Sequence, residues 1–435
     1  MALETLENVL ARLRALGATR VLAKQLAEND NTKQQIYLGG SFDTLNILPF
    51  GELYPAPGLR RPTLKAPVPL SWMDATGHVA PAPFTKLILY PKYPEVRLSG
   101  FLRGCPTAPN RDMQPVPRGD RRHPNLPDGR VMLLAIAGDR TITAFLISAG
   151  SRMAAEFGAL ISTRRPVTRG VFLELPLEVT DSRAQLLARL REIHAAGWHD
   201  STRLKADGTR IAYVARNGAG YTLEALLGVV PNGRSEPDYL GWEVKACGSD
   251  RVTLLTPEPD AGYYGQHGVE AFLRRYGRPT SSDTLYFTGI HRVGETCEGT
   301  GQRLLIEGFD ALRGRITDSN GGLRLVSADG SVTAAWSFPR LLQHWGRKHA
   351  SAAYVPYSTR NDRHEYRFDS PALLGEGTDF TRFLVAMAAG DVVYDPAPKL
   401  MGASTAKSRT KARSQFRIKT RALGQLYATF VAEPL

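Results

Sequence analysis

Between Leu3 and Leu13 apolar residues recur three and four apart, as Leu3, Leu6, Val9, Leu10 and Leu13, and the pattern stops near Gly17. That spacing predicts one amphipathic helix ended by a glycine. From Tyr37 to about Ile147 the texture changes to short β-rich runs, at 86–90, 131–136 and 141–147, separated by Pro- and Gly-rich loops. Runs of this kind predict a small, mostly-β barrel or sandwich. The polar, basic stretch 162–170, broken by Pro166, reads as a linker. The expected division is therefore 1–165, a linker at 166–175, and a second domain at 176–435. In the second domain, Asp181-Ser182 can cap a helix carrying Leu186, Leu187, Leu190 and Ile193 and ending at Gly197. Strand-like and helical segments then alternate to about residue 400, an α/β texture.

A length of 435 residues allows two or three domains, and 43% hydrophobic with 22% charged residues excludes a disordered, collagenous or coiled-coil chain. No apolar run approaches the ~20 residues that cross a bilayer. The opening Met-Ala-Leu-Glu-Thr-Leu-Glu is acidic where a signal peptide is basic. A soluble, cytoplasmic protein without a membrane partner is expected. Cys105, Cys247 and Cys297 lie far apart, which leaves neither a disulfide framework nor a Cys-x-x-Cys zinc site.

The net charge of +13 is unevenly spread. Residues 1–170 carry 22 Lys+Arg against 13 Asp+Glu, residues 401–435 carry seven against one, and the middle is close to neutral. Basic ends around a near-neutral body suit a protein that neutralises phosphates at its ends and does chemistry between them.

The chemistry concentrates in residues 218–247. Here 240–246 reads as a short strand on which Glu243 and Lys245 share one face while Trp242, Val244 and Ala246 take the other. Asp238, after Pro237, enters just before it, and 222–228 reads as a helix bringing Glu224 toward the same place. Hard carboxylate oxygens suit Mg²⁺, and a lysine beside the metal can orient or deprotonate an attacking water. On spacing alone a capped turn at Asp238 and an exposed pair of Glu243 and Lys245 are the better reading.

The order helix Glu, Pro-Asp, then Gly-aromatic-Glu-Val-Lys resembles the PD-(D/E)XK nuclease core in its MutH-like form, and in particular the MvaI/BcnI family of type II restriction endonucleases. The resemblance continues through 252–259, which reads as a strand adjacent to the catalytic one, through 336–356, and through Arg413-Ser-Gln-Phe-Arg417. It implies Asp238 and Glu243 as metal ligands, Lys245 serving the nucleophilic water and Glu224 as a further carboxylate. It also implies a Mg²⁺-dependent enzyme that cuts double-stranded DNA as a monomer, one strand after the other. Arg347, Lys348, His349, Arg360, Arg413 and Arg417 are residue types that reach phosphates or guanine edges. For Trp336, Trp345 and Tyr354, core packing is the better expectation than base stacking. His344 and His349 stand five apart, off one helix face, which argues against a helical zinc pair.

The run Lys24-Gln-Leu-Ala-Glu-Asn29-Asp30 is similar to the opening of the pseudobarrel effector domain of EcoRII. That likeness implies a DNA-binding N-terminal domain, with Lys24, Arg97 and Arg103 as candidate contacts. Such a domain either binds a second copy of the recognition site or clamps DNA without reading it. The expected fold is multidomain, a pseudobarrel-like β domain followed by an α/β nuclease domain. A partner-activated, MutH-like nicking enzyme and a DNA-binding regulator without catalysis are the alternatives.

Overall fold

The opening helix forms as Leu6–Ala15, with the Thr5 hydroxyl accepting from the Asn8 N–H at 3.2 Å and Gly17 left-handed just past the end. The computed structural model describes residues 3–56, 63–91, 93, 95–123, 126–164, 166–175, 182–215, 217–230, 238–248, 250–280, 282–348 and 351–435, with backbone alone at 164 and 346–348. The chain divides into two units, Met1–Thr180 and Asp181–Leu435.

In the first unit a seven-stranded sheet runs in the order Val167–Arg169, Phe172–Leu175, Ala18–Ala27, Pro127–Ala137, Ile142–Ile147, Leu70–Met73, Val79–Pro81. Leu6, Val9, Leu10 and Leu13 of the first helix, with Phe157 of Arg152–Arg164, bury against Val21, Ala23, Val131, Leu133 and Phe145 of this sheet. A five-stranded sheet runs Gln35–Tyr37, Glu95–Ser99, Lys86–Tyr90, Thr63–Pro67, Tyr54–Ala56. The mostly-β texture is thus as expected, and the described strand pairings form two separate sheets. The segment 166–175 is not a linker. Its two strands extend the seven-stranded sheet, Leu173 pairing with Ala23, because Phe172 and Leu175 have apolar sheet surface to cover and are buried there.

Lys24 also differs from expectation. Its side chain is buried and its Nζ donates to Asp30 Oδ2 at 3.0 Å, while Asp30 accepts from the backbone N–H groups of Ala27 and Tyr37. The Lys24…Asp30 run is a clip joining Ala18–Ala27 to Gln35–Tyr37, closed to phosphate.

The second unit is built on a mixed sheet. The long strand Ser351–Arg360 pairs through its first half with Glu243–Cys247 (parallel) and Ala372–Thr378 (antiparallel), and through its second half with Glu365–Phe368. Ala372–Thr378 pairs in turn with Tyr427–Glu433. Helix Ser182–Ala195 packs Leu186, Leu187, Leu190 and Ile193 on one face of this sheet, beside Ala219 and Leu223 of helix Gly218–Leu226 and against Val244, Ala353, Val355 and Phe368. Gly197 is left-handed past the first of these helices, and Asp181, its expected cap, lies outside the described residues. Residues 251–255 form a strand but pair with Phe416–Lys419 rather than with the neighbouring Glu243–Cys247. Trp336, Trp345 and Tyr354 are fully buried, as core residues are.

Candidate active site

The strand predicted at 240–246 begins only at Glu243, because a tight turn occupies its expected start. Tyr239 and Trp242 exchange two backbone hydrogen bonds, of 2.9 and 2.8 Å, around Leu240 and Gly241, whose φ angles are 49° and 85°. Two successive positive φ values make the two-residue loop of a type I′ turn. Gly241 adopts it freely, whereas Leu240 accepts a conformation costing about 1–2 kcal/mol for an L-residue with a Cβ. Folding back in this way lets Asp238 Oδ2 accept from the Val244 N–H at 3.0 Å. A carboxylate from before the turn is thereby fastened to the strand after it. Pro237, the other half of the Pro-Asp pair, lies outside the described residues.

Alternation along the strand does the rest. Val244 enters the core under the helices, and Glu243 and Lys245 project from the opposite face. Lys245 Nζ donates to Glu243 Oε1 at 2.7 Å, with side-chain exposures of 18% and 4%. Burial alone would lower the lysine pKa, but Glu243 beside it and Asp238 further off hold it above the ordinary lysine value. Lys245 is therefore an ammonium at neutral pH. Burial pushes the Cys247 thiol, at the strand's end, up to about 12 against the opposing pull of Lys245, so it is neutral and unsuited to nucleophilic work. Helix Gly218–Leu226 packs on this strand and carries Glu224 half-buried. The structure thus brings Asp238, Glu243 and Lys245 together and sets Glu224 on the adjoining helix.

The expected DNA contacts fare differently. Arg360 ends the long strand exposed, in a two-pronged pair with Glu365 (3.0 and 2.7 Å) and with its guanidinium 4.4 Å from the Trp198 ring centre. Arg417 is half-buried and paired with Asp395 at 2.7 Å, also donating to the Arg251 carbonyl, so it ties strands together. Arg413 is exposed in the loop before Phe416–Lys419. Arg347 and Lys348 end helix Phe338–Lys348, and their side chains, like all of His349, lie outside the described residues. In the first unit Arg97 pairs with Glu95 and Gln35, and exposed Arg103 stacks 4.7 Å from the exposed Phe84 ring.

Sequence reasoning missed the hairpin tip beyond Arg360, where Asn361, Asp362 and Arg363 all have positive φ. The Asn-Asp pair was the available signal, since these side chains tolerate the left-handed region.

A model of the MvaI/BcnI restriction endonuclease family matches residues 187–427, more than half of the chain. The chain belongs to that family. It is accordingly a restriction endonuclease, a site-specific DNA nuclease, and the match lies wholly within the second unit. Solved structures similar to the chain include restriction endonuclease MvaI with its cognate DNA substrate, at 17% identity and a TM-score of 0.46. MvaI in the absence of DNA is similar at 16% and 0.33. These matches cover 59% of this chain and 99% and 98% of the respective MvaI chains. No curated protein matches. Among the described residues no helix is long and apolar enough to cross a membrane.

Proposed function

We propose that the second unit cleaves duplex DNA at a short sequence by hydrolysis of phosphodiesters, with Asp238 and Glu243 holding Mg²⁺ and Lys245 serving the attacking water. The observation that carries this reading is the turn at Leu240-Gly241, which spends backbone strain to set Asp238 against the strand bearing Glu243 and Lys245. The donor set fits the ion. Carboxylate oxygens are hard ligands, and Mg²⁺ commonly takes one or two carboxylates, leaving its other positions to water and phosphate. Asp238 and Glu243 are the two carboxylates that would hold it, and among the described residues no group of three or more His, Cys, Asp or Glu side chains could hold a metal. When bound there, the cation supplies Lewis-acid stabilisation of the negative charge that grows on the phosphoryl oxygens.

The chain's own groups supply the rest. Lys245, charged and largely shielded from solvent, donates a hydrogen bond that orients water and offsets the charge of the pentavalent phosphorus centre. Glu243 keeps the ammonium in place through the 2.7 Å bond. Glu224 adds a negative helix face beside the strand. Among the described residues the chain holds one such set, and on this reading a monomer acts on the two DNA strands in turn.

The first unit is proposed as a second DNA-binding element. Across its five-stranded sheet Tyr54, Lys65, Ile88, Arg97 and Tyr37 stand in one cross-strand row. Tyr54 and Tyr37 are each more than two-fifths exposed. Cations flanked by aromatic rings suit phosphate and sugar contacts. Asp238→Ala and Lys245→Ala test the catalytic reading: each is expected to abolish cleavage in Mg²⁺ while DNA binding in Ca²⁺ persists, and retained cleavage would overturn the site.

A further inference from the structure

The sheet face that carries Glu243 is hollowed out beside it. Its cross-strand neighbours are Ala352, then Gly375, then Phe430, so the two positions nearest the carboxylate have almost no side chain. Tyr427 lies in this trough: a Cβ at Gly375 would stand 2.5 Å from the Tyr427 ring, and only glycine leaves room for it. Two residues along the same face Lys245 is paired with Tyr354. Tyr354 reaches back, and the Tyr354 and Tyr427 hydroxyls meet at 2.6 Å, both residues buried.

Two phenols bring two hydroxyl hydrogens, and the bond between them uses one. Among the described residues the hydrogen bonds give the other no acceptor, and a buried O–H left without one is costly. Glu243 is an acidic group whose charge acts on both phenols. We propose that Tyr354 and Tyr427 are positioning residues for Glu243: their hydroxyl pair presents its second hydrogen to the carboxylate through one water and holds it in the orientation that takes a divalent cation. This rests on the reading of Glu243 as a metal ligand. Metal ligands are commonly oriented by such hydrogen-bonding neighbours.

The test uses the full chain with Tyr354→Phe and Tyr427→Phe, which keep both rings. Mn²⁺ binding is followed by electron paramagnetic resonance without DNA, alongside the Mg²⁺ dependence of single-turnover cleavage and cation-free melting. Each variant is expected to bind Mn²⁺ about tenfold more weakly and to need about tenfold more Mg²⁺ for half-maximal cleavage. Its rate at saturating Mg²⁺ and its melting are expected to stay near those of the parent. Unchanged cation dependence in both variants overturns the proposal, as does a loss of melting that accounts for all of the effect. Glu243→Gln separates the two layers. If it binds Mn²⁺ and cleaves normally, the assignment of Glu243 as a ligand is what fails; if it is inactive while both Phe variants match the parent, only the positioning role fails.

Discussion

Each unit of this chain buries a lysine against a carboxylate, and the two pairs have different purposes. Lys24 and Asp30 expose 7% and 6% of their side chains, and Asp30 is wrapped by two backbone N–H groups as well as the ammonium. Lys245 and Glu243 expose 18% and 4%, and a second carboxylate, Asp238, is folded back beside them. In the first pair the chain itself supplies the carboxylate's partners. In the second, two carboxylates stand beside one ammonium, and that ammonium is the more exposed of the two lysines. A buried ion pair is thus no marker of function by itself; a second carboxylate folded back beside it is.

Replacing each lysine by methionine breaks this comparison open. Lys245→Met is expected to lower cleavage by three orders of magnitude or more, read as single-turnover rate in Mg²⁺, and Ca²⁺ is expected to raise its melting temperature by compensating Glu243 and Asp238. Lys24→Met is expected to destabilise the first unit by about 3–5 kcal/mol, since it leaves Asp30 charged and buried. Ca²⁺ should restore none of that loss, because Asp30 is enclosed. Urea unfolding with and without Ca²⁺ distinguishes them; a Ca²⁺ rescue of Lys24→Met would erase the contrast.

A third test concerns the second unit's buried histidine. His291 is enclosed, with Nε2 2.8 Å from the Thr300 hydroxyl, and burial lowers its pKa to about 4. The unfolded chain binds this proton near pH 6.5 and the folded chain near 4. The stabilisation is therefore complete above pH 6.5 and is lost as the pH falls toward 4, amounting to about 3 kcal/mol. Four of the five tryptophans lie in this unit, so tryptophan fluorescence in urea reports it. His291→Gln should flatten the acid limb between pH 6.5 and 4; an unchanged limb assigns it to other groups.

The smallest expected effects lie at two cations proposed to meet DNA, exposed Arg360 and half-buried Lys65. Arg360→Ala and Lys65→Ala should each weaken DNA binding across sequences and reduce the slope of log affinity against log salt by about one. An unchanged slope removes that residue from the interface.

Local patterning made much of this molecule legible in advance. The helix at Leu6–Ala15, the three leucines and one isoleucine of Ser182–Ala195, and the alternation that separates Val244 from Glu243 and Lys245 follow from spacing alone. What spacing could not carry was set by partners distant in sequence or by the backbone. Lys24 reads as a basic surface residue until Asp30 closes over it. Arg417 reads as a DNA contact until Asp395 claims it. The strands at 166–175 look like a linker because the polar, basic run before them is broken by Pro166 and Gly170, and their sheet is provided by residues 18–27. The Leu240 turn was hidden because leucine gives no sign of a positive φ, and the trough under Glu243 depends on Ala352 and Gly375, neither of which carries chemistry of its own.

The most direct measurement is to incubate the purified chain with plasmid and phage DNA in Mg²⁺ and sequence the ends produced, with Asp238→Ala in parallel. Discrete fragments sharing one short motif, absent with Asp238→Ala, are the expected result. Fragments made equally by Asp238→Ala, or no cleavage at any protein level despite tight binding, would contradict the assignment of catalysis to this strand edge.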